Sequence, residues 1–283
     1  MKIINNIKEM HEYISKLKRR NHSIGFVPTM GALHEGHVSL VTAAAKDNDK
    51  VIVSIYVNPT QFAAGEDLEK YPRPIKKDVK MLKSTGNVDC LFTPDNIMMY
   101  PEGYATYVQL ENDMTKCLCG MTRPTHFKGV TTIVAKLLNI VRPSRLYLGQ
   151  KDAQQAMILT RMVKDLDYDT DVVVCPIIRE KDGLALSSRN MYLTPEQRDT
   201  APVLYKSLQM AESMIELGER SCEIIKKEMK RKLKEANVEI DYVEIVDSAT
   251  LKPADTLSGR VLIAAAAFVG KTRLIDNTIV DIK

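Results

Sequence analysis

Cysteine is scarce in this chain: 283 residues hold five, an odd number at irregular spacing. A disulfide framework of the kind that staples small secreted domains is therefore excluded. Cys117 and Cys119 form a Cys-x-Cys pair, but no second pair stands at metal-site spacing, so both read as reduced thiols. Long hydrophobic runs are missing as well. The longest, VLIAAAAFV (Val261–Val269), falls far short of the roughly 20 apolar residues that span a bilayer, so no membrane partner is expected. The N-terminal MKIINNIKEMHEY alternates polar and apolar residues without an h-region, which argues against a signal peptide. Charge of one sign does not dominate: 40 Lys and Arg face 36 Asp and Glu, for a net +4. A nucleic-acid binder gathers its basic residues on one face, whereas the run KLKRR (Lys16–Arg20) reads as the solvated end of a first helix. Neither the P-loop pattern G-x-x-x-x-G-K-S/T nor the dinucleotide fingerprint G-x-G-x-x-G occurs, which excludes both of those nucleotide sites.

The rest of the composition, 45% hydrophobic and 27% charged, is that of a soluble, cytoplasmic globular protein. Along the chain, helix and strand patterns alternate. Apolar residues at helical spacing cover Ile7–Arg19, and SIGFVPT predicts a short strand ending at Pro28. A helix over His37–Lys46 precedes KVIVSIYV (Lys50–Val57), a β-branched run that suits a strand buried on both faces. Helices follow at Ile75–Lys83, Gly129–Ile140 and Ala153–Lys164, with strands at Val88–Phe92, Arg145–Leu148 and Asp171–Cys175. This order implies βαβ units and an α/β, Rossmann-like open parallel sheet over residues 1–178. Beyond it, two helices (Pro195–Leu217 and Cys222–Glu235) and the strand-like IDYVEIVD and VLIAAAAFVG predict a smaller α+β domain, residues 179–283, covering the active site.

The stretch VPTMGALHEGHVSL (Val27–Leu40) places two of the five histidines three apart. A zincin needs H-E-x-x-H, with its histidines at i and i+4, so HEGH has the wrong register for zinc. Two readings stay open at this point: local hydrogen bonding, and phosphate binding at a glycine turn that opens a helix. Two other segments favour phosphate. LYLGQKDAQQ (Leu146–Gln155) again runs strand, glycine, helix, with Lys151 at the turn and Asp152 placed to cap the helix. LALSSRN (Leu184–Asn190) adds two hydroxyls and an arginine, which suit phosphate oxygens.

PTMGALHEGH resembles the H-x-G-H signature of the nucleotidylyltransferase and class I aminoacyl-tRNA synthetase superfamily. More narrowly, YVNPTQF, YPR, RPTHFKGV, LGQKDAQQ, DGLALSSRNMYL and RLIDN stand in the order found in the pantothenate synthetase (pantoate–β-alanine ligase) family, from about Ile24 to Asn277. The resemblance implies a two-step ligation. ATP and pantoate give pantoyl adenylate and pyrophosphate with Mg²⁺; the β-alanine amine then attacks the acyl carbon and releases AMP. It also implies that Met30, Gly31, Ala32, Leu33, His34, Glu35, Gly36 and His37 line the ATP site, with His34 and His37 on the phosphates and His37 as proton donor. Gly149, Gln150, Lys151 and Asp152 would hold ribose and phosphates, Lys151 neutralising charge. Ile178 would touch the nucleotide, and Leu186, Ser187, Ser188 and Arg189 would close on the triphosphate. Gln61 and Gln155 would hold pantoate, and the assembly would be a homodimer.

The chemistry agrees with those roles. A carboxylate nucleophile is already ionised at neutral pH and needs no general base, so the first step asks for alignment and charge stabilisation at the α-phosphate. An amide orients a carboxylate without pairing its charge as a bidentate arginine would. The chain departs from the family pattern at Thr125 and Lys128, where Gly and Arg are expected, and at Gln150, where GEKD is common. A nucleotidylyltransferase that releases its adenylylated product is the nearest alternative, but it has no need of the NPTQF and KDAQQ pair. A tRNA-binding fragment would show a basic face. A non-catalytic nucleotide binder would show a broken phosphate set.

Overall fold

The computed structural model of the chain describes residues 1–63 and 65–282. Its contacts divide it into two units. The first comprises Met1–Glu111, Arg123–Gly149 and Gln155–Pro176, and the second Asn112–Thr122, Gln150–Gln154 and Ile177–Lys283. Two short segments that precede residue 178 thus group with the C-terminal part of the chain.

The first unit holds strands β1 (Lys2–Ile4), β2 (Ile24–Thr29), β3 (Lys50–Ile55), β4 (Cys90–Phe92), β5 (Arg145–Gly149) and β6 (Asp171–Cys175). They form one sheet in the order β1-β4-β3-β2-β5-β6, all pairs parallel. The helices along this part of the chain are α1 (Ile7–Lys18), α2 (Glu35–Asp47), α3 (Ile75–Thr85), α4 (Asn96–Met99), α5 (Cys119–Thr122), α6 (His126–Val141) and α7 (Ala153–Asp165), of which α5 belongs to the second unit. Because successive strand residues point to opposite faces, each strand feeds two cores. Ile24, Phe26, Ile52, Leu146 and Leu148 pack with α1, α6 and α7 through Met10, Ile14, Leu138 and Leu159. Val27, Val51, Val53 and Tyr147 pack with α2 and α3 through Leu40, Val41, Ala44 and Leu82. The continuous apolar run of β3 is explained by this position: it lies between β4 and β2, and Val51, Ile52 and Val53 are buried. The short strand β1 was not visible in the sequence, since three residues (Lys2–Ile4) carry no periodicity.

From β2 the chain steps outward to β3 and β4, and β5 returns on the other side of β2. The reversal therefore lies between β2 and β5, where Gly25 pairs with Arg145 and Phe26 with Leu146. Open α/β sheets bind ligands beyond the carboxyl ends of the strands at such a reversal.

In the second unit, α8 (Pro195–Thr200), α9 (Val203–Glu216) and α10 (Cys222–Glu235) accompany the antiparallel sheet of β7 (Glu239–Asp247), β8 (Gly259–Val269) and β9 (Thr272–Ile282). Leu204, Leu208 and Ala211 of α9 and Ile225, Met229 and Leu233 of α10 bury one face of this sheet, on Val243, Ile245, Ile263 and Ala265. The single helix expected over Pro195–Leu217 is two helices. Pro202 stands between α8 and α9, and a proline lacks the N–H that would continue the ladder. Ser221 caps α10 by accepting from the Ile224 N–H. The RLIDN segment lies within β9, which pairs with β8 along its length. Among the described residues no helix is long and apolar enough to cross a membrane, and all five cysteines are free.

Candidate active site

The carboxyl end of β2 explains the histidine spacing. After Thr29, Gly31 adopts φ +82° and Ala32 φ +50°, a left-handed pair that turns the chain into α2. His34 is the N-cap of that helix and His37 its third residue. The His34 Nδ1 accepts from the Gly36 N–H at 3.2 Å, and the His37 Nδ1 accepts from the His34 N–H at 3.3 Å. This is a capping box, normally made by Ser or Thr with Glu, built here from two imidazoles whose ring centroids stand 4.1 Å apart. A backbone N–H only donates, so each Nδ1 must be unprotonated, and the neutral ring carries its hydrogen on Nε2. The i, i+3 spacing of HEGH serves this reciprocal cap. The capping reading and the phosphate reading are therefore compatible: local bonds set two rings as Nε2 donors at a helix N-terminus.

The turn is tied from below. The buried Asp78 of α3 accepts the Ala32 N–H at Oδ2 and the Leu33 N–H at Oδ1, both at 2.9 Å. The sequence reading missed Asp78. Its signal was there: Asp78 falls four residues before buried Leu82 on one helix face, where the pattern asks for an apolar residue.

Gln61 sits in a second cluster of the same unit, at the end of a short 3-10 turn, Pro59–Gln61, after β3. Its Oε1 accepts from the Asn58 Nδ2 at 3.0 Å, and its Nε2 lies 3.3 Å from the Met30 sulfur. The structure thus brings together Met30 and Gln61. The Asn58 amide is fully used, since Oδ1 accepts from the hydroxyls of Thr60 and Tyr100 at 2.9 Å each and Nδ2 also reaches the Gly129 carbonyl at 3.2 Å. Burial pushes the Tyr100 hydroxyl up to about 12, which keeps it a donor at neutral pH.

The Gln61 carbonyl is clamped in turn by the His126 Nδ1 at 2.8 Å and by Arg123 at 3.2 Å. Arg123 makes a two-pronged ion pair with Glu66, at 2.5 and 2.6 Å. Burial would raise the Glu66 carboxyl, but the Arg123 guanidinium outweighs it and holds the group below the usual carboxylate range. Asn58, Arg123 and His126 lie inside the NPTQF and RPTHF segments, yet spacing alone does not reveal that Arg123 and His126 converge on the Gln61 carbonyl while Asn58 holds its side chain. Lys128, one of the three departures from the family pattern, stands 4.5 Å over the Tyr107 ring. Thr125 precedes α6 without a side-chain cap bond.

The remaining candidates divide between the units. Gly149 ends β5, and Gln155 is a half-buried residue of α7 in the first unit. Its neighbour Gln154 is structural: it accepts from the Cys119 N–H and donates to the Met114 and Cys117 carbonyls. In the second unit, Gln150, Lys151 and Asp152 form a 3-10 turn. Asn277 of β9 holds that turn, donating to the Gln150 and Lys151 carbonyls at 2.9 and 3.0 Å. Asp152 Oδ1 lies 3.7 Å from the Lys151 ammonium. Gln150, where an acidic residue was common, donates to the Asn277 Oδ1 at 3.3 Å, a bond that an anionic carboxylate would not donate.

Ile178 and Leu186 face each other across a small hairpin, joined by a Leu186 N–H to Ile178 carbonyl bond of 3.0 Å. Arg179 anchors the hairpin through paired bonds to buried Asp276 at 2.6 and 2.9 Å and by stacking 3.9 Å over Tyr205. Ser187 then caps the 3-10 turn Ser188–Tyr192, accepting from the Arg189 N–H at 3.2 Å. Among the described residues no three His, Cys, Asp or Glu side chains gather as a metal-ion cage.

The chain as a whole is similar to known proteins. A family model described as pantoate-beta-alanine ligase matches residues 2–279. The pantothenate synthetase of Thermotoga petrophila is 54% identical over 280 residues, which are 99% of each chain. The solved pantothenate synthetase of Thermus thermophilus superposes with a TM-score of 0.93 at 41% identity, covering 98% of this chain and 99% of that one. The pantoate-beta-alanine ligase of Francisella tularensis, solved with beta-gamma ATP and β-alanine, gives 0.83 at 38% identity, over 99% of this chain and 97% of its own. With a family model over residues 2–279 and a relative 54% identical over 99% of the chain, the chain belongs to the pantoate–β-alanine ligase family.

Proposed function

We propose that this chain, an ATP-dependent ligase that joins pantoate to β-alanine in pantothenate biosynthesis, works through a pantoyl adenylate held by the residues described above. A carboxylate oxygen of pantoate attacks the α-phosphorus of ATP, and pyrophosphate leaves with the broken P–O bond. The β-alanine nitrogen then attacks the acyl carbon, loses a proton, and AMP departs. The observation that carries the reading is the histidine box at the carboxyl end of β2, beside the sheet reversal.

His34 and His37, as Nε2 donors, stabilise charge that grows on the phosphates, with His37 as the proton donor. The α2 N-terminus adds a fixed positive field. Lys151, Ser187, Ser188 and Arg189 neutralise the triphosphate; Gly149, Gln150 and Asp152 hold ribose and phosphates, and Ile178 and Leu186 flank the nucleotide. Gln61 and Gln155 orient pantoate by amide hydrogen bonds and leave its carboxylate unpaired for attack. Mg²⁺ fits this donor set as an ion carried on the ATP phosphates, because it keeps water and phosphate oxygens as ligands and needs no protein cage. There it would neutralise phosphate charge. We assign the enzyme to the cytoplasm and to a homodimer on the same family reading.

The test is pyrophosphate release from ATP, Mg²⁺ and pantoate, with and without β-alanine. A burst of about one equivalent per site without the amine, followed by steady AMP formation on adding it, is expected for an enzyme-held acyl intermediate. Steady release with no need for the amine would favour a nucleotidylyltransferase.

A further inference from the structure

We infer that Asp78 is a positioning residue for adenylation, setting the backbone from which the histidine box is built. This rests on the reading of Met30–His37 as the ATP turn. Gly31 and Ala32 are consecutive residues at positive φ, and a non-glycine residue in that region persists only where its surroundings hold it there. Asp78 supplies the hold. Its two oxygens take the N–H groups of Ala32 and Leu33, one each, at equal 2.9 Å distances. Asp78 is 1% exposed, and a buried carboxylate is costly unless its lone pairs are filled, so the pairing is mutual. Gly31 completes the fit: a Cβ there would stand 3.0 Å from Asp78 Oδ2 and 3.0 Å from Ile55 Cγ2.

The next residue after Leu33 is His34, whose N–H and Nδ1 make both bonds of the box. A shift of the Ala32–Leu33 peptide therefore passes into both imidazoles through one rotatable residue. Asp78 lies 46 positions from Ala32 and acts on the reaction through this turn.

Asp78→Asn tests the role, since it keeps the volume and one acceptor but presents an N–H₂ to the other backbone donor. The pre-steady-state pyrophosphate burst separates two effects: its amplitude counts folded sites, and its rate constant reports chemistry. The expected result is an amplitude near the wild-type value with a rate constant lowered by up to roughly a hundredfold, the scale of loss for a slightly misplaced reacting group. A lowered amplitude with an unchanged rate constant would mean Asp78 only supports folding, and would overturn the inference. If Asp78→Asn yields no folded protein, Gly31→Ala perturbs the same contact with the carboxylate in place. It is expected to slow the burst, and a wild-type rate there would count against the role. His37→Ala run alongside keeps the two readings apart. A wild-type burst in that variant would remove the turn from the ATP site, whereas a slow His37→Ala beside a fast Asp78→Asn sinks the positioning role alone.

Discussion

His37 has a structural bond and a proposed role in the reaction, and one substitution reads out both through different measurements. Its Nδ1 satisfies the His34 N–H, and we assign its Nε2–H to the phosphates. Removing the ring in His37→Ala costs the cap about 1 kcal/mol, the usual price of a lost helix N-cap partner. Losing a donor aimed at developing charge costs far more in rate, roughly a hundredfold to a thousandfold. The expected outcome is a melting temperature lowered by a few degrees and a pyrophosphate burst slowed by that factor; a full-speed burst would remove His37 from the chemistry. The pair was legible in the sequence because both histidines and the glycine lie within four residues. Asp78 was legible only in part: its place four residues before Leu82 marks a buried position, but the N–H groups that it binds are 45 and 46 residues away.

Among the elements, the approach of α6 to the Pro59–Gln61 turn constrains most. A Cβ at Gly129 would run into the Thr60 carbonyl and stand 2.6 Å from the Gln61 nitrogen. The contact is backbone on backbone, so no side chain can swing away to relieve it. Gly129→Ala is therefore expected to destabilise by about 3 kcal/mol, the upper end for overpacking, and to displace Gln61 from its bonds to Asn58 and Met30. A lowered denaturant midpoint together with a raised KM for pantoate would bear this out; a KM that stays put would detach Gln61 from pantoate binding. The sequence places Gly129 at the start of a helix, whereas α6 begins at His126. That shift of three residues adds His126 to the helix and turns its ring toward the Gln61 carbonyl.

The molecule as a whole is held by burial and hydrogen bonding with no covalent cross-link, for all five cysteines are free. Burial pushes the Cys90 thiol up to about 12 and raises Cys117, Cys175 and Cys222 as well, so little reactive thiolate forms near neutral pH. Melting temperature is expected to be the same with and without a reducing agent. Labelling by a thiol reagent at pH 7 is expected to track unfolding; rapid labelling of the native protein at Cys90, Cys175 or Cys222 would contradict it. The two-part division had a trace in the sequence, where strand–helix alternation gives way after about residue 178. The segments 112–122 and 150–154 that group with the later part had none, because their membership is written in hydrogen bonds such as Asn277 to the Gln150 carbonyl.

Periodicity and turn chemistry by themselves determined the parallel α/β class, most of the strands, the helix-opening glycine turn and the three phosphate-suited segments. Each of these is an interaction among residues a few positions apart, so neighbouring letters carry it. The order of strands, the place of the sheet reversal, the Asp78 tie and the Asn58–Gln61–Gly129 contact came only with the folded chain. These depend on which distant backbone groups closure leaves without a partner and which side chains are near enough to fill them. A sequence shows that a buried N–H must be satisfied; it does not show which residue will do it.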